Sequence, residues 1–189
     1  FFRHLMLCLL PDDLLVQISD YLQAAVISHV SSHTWRVLQG RHLSYHVTED
    51  SVSEMLWSTV IGSPAVHTLR ISCKYLGDCG ASELSSALAS VSSVHTLCLQ
   101  MQMNDLGSQG IQALAQLRNL PLLRRLTLDL GYNGMGNSGV FALEALKTAT
   151  KLEALTLGLQ GNLLGPSSAK TLSTFCSIHS LHTLTLDLE

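Results

Sequence analysis

LRRLTLDLGYNGMGNSGVFALEAL, residues 123–146, holds two hydrophobic periods in one short stretch. Leu126, Leu128 and Leu130 alternate with polar residues, so every second side chain faces one way, as on a strand. After Gly136 the period changes, and Val140, Ala142, Leu143 and Leu146 fit one face of a helix. The same text recurs in register from Val66, Val94, Leu152 and Leu181, a period of about 29 residues. Apolar residues hold the first, fourth, sixth and eighth positions, and an Asn follows at Asn104, Asn133 and Asn162. Next comes a pair, Leu106-Gly107, Met135-Gly136 or Leu164-Gly165. A fixed period of this length means one supersecondary unit stacked on itself. The predicted unit is strand, turn, helix, which makes an α/β fold with a parallel sheet on one face and helices on the other. Asn in each turn is expected to hydrogen-bond open backbone groups and to form a ladder. Gly110, Gly139 and Ser168 are expected to let helix and strand backbones approach closely.

This pattern over residues 66–189 resembles the leucine-rich repeats of the ribonuclease-inhibitor class. The resemblance implies a solenoid with a concave parallel sheet and convex helices, about four repeats plus a partial fifth. Here the Asn stands two residues further from the first Leu than in that class, so the strand should be one step longer. The first copy, Val66–Ser93, lacks the Asn and has a shorter turn. Side chains pointing away from the core should line the concave face. By register these are Arg70, Ser72, Lys74, Cys98, Gln100, Gln102, Arg125, Thr127, Asp129, Thr156, Gly158, Gln160, Thr185 and Asp187. Of these, Arg70, Lys74, Gln100, Gln102, Arg125, Asp129, Gln160 and Asp187 are the candidate partner-binding residues.

Residues 1–50 read as a separate helical module and 51–65 as a connector. In LPDDLLVQISDYL, residues 10–22, Pro11 suits a first helical turn and Asp12-Asp13 its positive end. Leu14, Leu15, Ile18 and Leu22 make an apolar stripe. Leu10-Pro11, Asp13, Leu14-Leu15, Ile18, Tyr21-Leu22 and the later Trp35-Arg36 resemble the F-box. That resemblance implies docking of Leu10, Pro11, Leu14, Leu15, Ile18 and Leu22 on a Skp-type adaptor of a cullin-type (SCF) ubiquitin ligase. The repeats would then hold a target protein. The alternative is a repeat scaffold or inhibitor whose helical start is only a cap.

Composition narrows the other classes. The chain has 189 residues, 47% hydrophobic and 13% charged, with net charge −3. Residues 1–65 carry 3 basic and 6 acidic side chains and the rest carry 8 and 8, so no basic stripe argues for nucleic acid. No apolar run reaches the length of a membrane span. The five cysteines, Cys8, Cys73, Cys79, Cys98 and Cys176, form no CxxC pair. They read as reduced thiols in an intracellular protein, cytoplasmic or nuclear. The first residue is Phe and the last falls just after a strand, so the chain reads as part of a longer array. No catalytic, cofactor or small-molecule site is expected. Gly134-Met135-Gly136-Asn137-Ser138-Gly139 matches a dinucleotide fingerprint, but Gly136 and Gly139 share repeat positions with Gly107 and Gly110. His29 and His33, and likewise His42 and His46, are four apart on presumed helices, without the further ligands a metal needs. Cys73 falls at the eighth, core position.

Overall fold

A computed structural model describes residues 14, 16, 18, 41–48 and 66–189. Alternating apolar residues set a six-stranded sheet: β1 (His42–Thr48), β2 (Thr68–Lys74), β3 (Thr96–Gln100), β4 (Arg125–Asp129), β5 (Ala154–Gly158) and β6 (Thr183–Asp187). The spatial order follows the chain order and every pair is parallel. Helices α1 (Gly77–Ala89), α2 (Ser108–Leu114), α3 (Gly136–Leu143) and α4 (Pro166–Ser173) follow β2 to β5. Each packs on the next. The protein is α/β with a parallel sheet, as the repeat predicts.

Register decides which side chains meet. Leu43, Leu69, Leu97, Leu126, Leu155 and Leu184 form one cross-strand column. Tyr45, Ile71, Leu99, Leu128, Leu157 and Leu186 form a second. A third layer, Cys73, Met101, Leu130 and Leu159, is also buried, and all join one core. Leu184 and Leu186 are only half-buried, because β6 pairs on one side alone among the described strands.

Three sequence readings are corrected. Among the described residues the sheet begins at β1, inside the stretch read as the helical module 1–50. Leu43, Tyr45 and Val47 alternate and pack toward the core, so His42 and His46 lie on a strand and not on a helix. The helices also shorten. After α2, α3 and α4 the chain tightens into 3-10 turns, Ala115–Asn119, Glu144–Thr148 and Thr174–Ser177. Ile111, Leu114 and Leu117, then Val140, Leu143 and Leu146, then Leu172, Phe175 and Ile178, are buried at steps of three. Each set starts in the α-helix and continues through the 3-10 turn, so one apolar face runs on from helix into turn. Finally, the small residues opening the helices face a neighbouring helix and their own turn rather than a strand. A Cβ at Gly110 would run into Asp78 Oδ1, and one at Gly139 would lie 2.6 Å from the Met135 side chain.

The turns are held by the three asparagines, buried at 1%, 6% and 1% exposure. Asn133 Oδ1 accepts from the backbone N–H of Asn104 and Leu106, at 2.8 and 3.2 Å. Its Nδ2 donates to the carbonyls of Met101, Leu130 and Gly131. Asn162 repeats the pattern on Asn133 N, Met135 N, Leu130 O, Leu159 O and Gln160 O. Asn104 accepts from Leu76 N and donates to Cys73 O and Gln102 O. The expected ladder therefore exists, and each rung links two consecutive turns. A second link joins the helices. Asp78 Oδ1 accepts from Gly107 N and Gly110 N at the start of α2, and Asn137 Oδ1 from Gly165 N and Ser168 Oγ at the start of α4. A residue of one repeat thus caps the helix of the next.

Asn133→Ala is expected to destabilise by about 3 kcal/mol or more, because it strands two buried N–H groups and several carbonyls rather than deleting one bond. Leu128→Asp, with an unpartnered carboxylate between Leu99 and Leu157, should cost several kcal/mol and abolish the cooperative melt. Chemical denaturation followed by circular dichroism checks both. A Leu128→Asp melt equal to that of wild type would place the strand register one residue off.

Candidate functional site

The sheet face turned from the core carries the predicted polar set. Arg70, Lys74, Gln100, Gln102, Arg125 and Asp187 are exposed there, and Asp129 and Gln160 are half-buried. The register places them in rows. Ser44, Arg70, Cys98, Thr127, Thr156 and Thr185 form one row, and His46, Ser72, Gln100, Asp129, Gly158 and Asp187 the next. Charge is sorted along the second row and its margin. Lys74 stands at the β2 end, while Asp129 and Asp187 flank Gly158.

One part of this face is tightly organised. Gln102 Nε2 donates to Asp129 Oδ2 at 2.6 Å. The other carboxylate oxygen, Asp129 Oδ1, and Gln160 Oε1 are sheltered from solvent and have no hydrogen-bond partner. Both lean over Gly158, where a Cβ would lie 2.7 Å from Asp129 Oδ1 and 3.2 Å from Gln160 Oε1. These two side chains fill the space over Gly158 and leave no room for a larger residue there.

The rim beside this face holds residues that the repeat reading passed over. Tyr75, Met103 and Tyr132 occupy the left-handed region, at φ 56, 54 and 57. In the two later turns the left-handed residue directly precedes the Asn, and Gly161 takes the same place before Asn162 at φ 67. Glycine adopts this conformation freely, whereas bulky residues there cost about 1–2 kcal/mol each. Leu163, just after Asn162, is also left-handed at φ 54. Asp105, at the same turn place as Leu163, is left-handed too, at φ 54, and burial does not offset the strain, because all five non-glycine side chains are exposed. A bulky residue ahead of the Asn in two turns, and at the matching place in the shortened first turn, was the signal in the sequence.

At the opposite edge of the sheet lies a column of ionisable side chains. The His67 and His95 rings stack at 4.4 Å, His42 meets His67 edge-on at 6.1 Å, and Arg124 pairs with Glu153. His95 Nδ1 lies 2.8 Å from the Ser93 carbonyl, to which it donates. Among the described residues no group of three His, Cys, Asp or Glu side chains is placed to hold a metal ion. The glycine fingerprint has local uses: Gly134 and Gly136 are left-handed at φ 66 and 57, and Gly139 makes room for Met135. Gly107, at the position of Gly136, is instead extended.

Leu14, Val16 and Ile18 are helical, with Leu14 exposed and the other two half-buried. Leu10, Pro11, Leu15, Leu22, His29, His33 and Cys8 lie outside the described residues. Among those described, no helix is long and apolar enough to cross a membrane. No protein-family model matches the chain, and no curated protein matches it.

The thiols separate by environment. Cys79 and Cys176 are exposed, Cys98 is half-buried on the sheet face, and Cys73 is buried. Burial pushes the Cys73 thiol from 9.0 up to about 12 and also raises Tyr45. Below pH 9 the Cys73 thiol is neutral in both folded and unfolded chains and has no effect on stability. Between 9 and 12 the unfolded chain ionises while the folded one does not, so stability falls as pH rises. The melting temperature should therefore drop as pH rises above about 9, and Cys73→Ala should drop less, with Tyr45 contributing to the remainder. Parallel slopes for the two proteins would show that Cys73 is not shielded.

Proposed function

We propose that this chain is a protein-recognition module: a leucine-rich-repeat solenoid whose concave sheet face binds a target protein. We further propose that its N-terminal segment is an F-box-like helical module docking on a Skp-type adaptor. The protein would then be the substrate receptor of an SCF-type ubiquitin ligase and would do no chemistry itself. Its place would be cytoplasmic or nuclear.

The observation that carries this reading is the sheet face. Six parallel strands in chain order present the same two side-chain rows from every repeat. A row of polar, mixed-charge residues on a rigid parallel sheet can read an extended surface of a partner. Arg70 and Arg125 are exposed on that face, and arginine is favoured at binding hot spots. The adaptor part rests on the LPxxLL text at residues 10–15 and on Trp35-Arg36. Leu14, exposed on a helix, is a suitable apolar contact for it.

Purified Skp adaptor should co-purify with the protein. Leu14→Glu combined with Ile18→Glu should abolish that capture while leaving the melt of the sheet unchanged. No capture of the adaptor by the wild-type protein would remove the ligase role and leave the scaffold or inhibitor reading.

A further inference from the structure

Four bulky turn residues combine strain with exposure. Tyr75, Met103, Tyr132 and Leu163 hold left-handed backbone, yet they are 79, 68, 55 and 87% exposed. The turn itself does not require bulk, since Gly161 serves at the same position as Met103 and Tyr132. Tyr132 is turned along the rim, because a Cβ at Gly161 would run into its ring. Consecutive turns are spaced as the strands are, about 4.8 Å apart, so Tyr75, Met103 and Tyr132 stand as an apolar ridge at the ends of β2 to β4, and Leu163 lies two residues further along the turn after β5.

The ridge borders an acidic stretch of the sheet face. Asp105 is exposed beside Met103, Asp129 ends β4, and Asp187 ends β6. Lys74 is the basic residue at that margin, next to Tyr75. Between Asp129 and Asp187 the register places Gly158, which has no side chain of its own. Asp129 Oδ1 and Gln160 Oε1 fill the space over it and are sheltered from solvent. The carboxylates of Asp105, Asp129 and Asp187 at this margin suit a cationic partner group and repel an acidic one.

We propose that the rim and the adjoining sheet face form one peptide-docking surface. Its occupant is an extended segment of a partner protein that carries apolar or aromatic side chains next to a lysine or arginine. The apolar side chains lie on Tyr75, Met103, Tyr132 and Leu163. The cationic group pairs with the carboxylates of Asp129 and Asp187. The proposal rests on the reading of the sheet face as a protein-recognition surface, and it adds the chemistry of the partner and the place where the partner lies.

The test uses the full chain and a short acetylated, amidated synthetic peptide alternating arginine and tryptophan, followed by fluorescence anisotropy at low salt. Two controls replace its arginines by glutamate or its tryptophans by serine. Binding of the parent peptide should exceed that of each control by about tenfold or more. The triple variant Tyr75→Asn, Met103→Asn, Tyr132→Asn keeps residues that tolerate left-handed backbone. It should retain a cooperative melt and lose peptide affinity by about tenfold or more. Asp129→Asn with Asp187→Asn should erase the preference of arginine over glutamate. Equal binding of the basic and acidic peptides, no binding of the parent peptide, or full affinity in the folded triple variant would each overturn the proposal. So would a dimer seen by light scattering that disappears in the triple variant, since the ridge would then belong to a second copy of this chain. Adaptor capture and peptide binding use different segments, so either can fail while the other stands.

Discussion

A buried side-chain amide in each turn is the interaction on which the rest of the structure depends. Parallel strands leave a difficulty where they end, because their last N–H and C=O groups must be satisfied while the chain reverses into a helix. Asn104, Asn133 and Asn162 meet this need with one oxygen and one amide nitrogen each. No aliphatic residue could replace them, and aspartate could not donate to the carbonyls. With the turns fixed, the strands keep their one-to-one register, and the leucine columns can close the core. The helix-capping links from Asp78 and Asn137 repeat the same logic one layer further out.

Much of this was legible because the repeat prints the same physical need several times. The leucine positions fixed both strand faces, and the Asn positions foretold the ladder. What escaped did so for particular reasons. β1, with Leu43, Tyr45 and Val47 alternating, is followed by a stretch, 49–65, whose sequence lacks the Asn and the Leu-Gly or Met-Gly pair of the later copies. It was therefore absorbed into the helical stretch before it. The step of three in Ile111, Leu114 and Leu117 was visible, but a short apolar run suits a 3-10 turn and an α-helix face almost equally. Helix capping between repeats could not be read at all, since Asp78 and the N–H groups it serves lie 29 and 32 residues apart.

The candidate site divides along the same line. The polar row on the sheet face follows from parity alone: once Leu126 and Leu128 point inward, Thr127 and Asp129 point outward. Parity says nothing about which outward groups cooperate. The convergence of Asp129 and Gln160 over Gly158 depends on side-chain reach across two strands. The rim residues depend on backbone conformation, which hydrophobic periodicity does not report.

The asparagine ladder also has a direction. Each amide oxygen reaches back to the turn before it: Asn104 serves Leu76, Asn133 serves Asn104 and Leu106, and Asn162 serves Asn133 and Met135. A turn is thus completed by residues synthesised about one repeat later. On the ribosome every newly emerged turn would wait with open backbone groups until its successor arrived. Loss of a repeat at the C-terminal side would loosen the turn before it, whereas loss at the N-terminal side would take away only what the next Asn was holding.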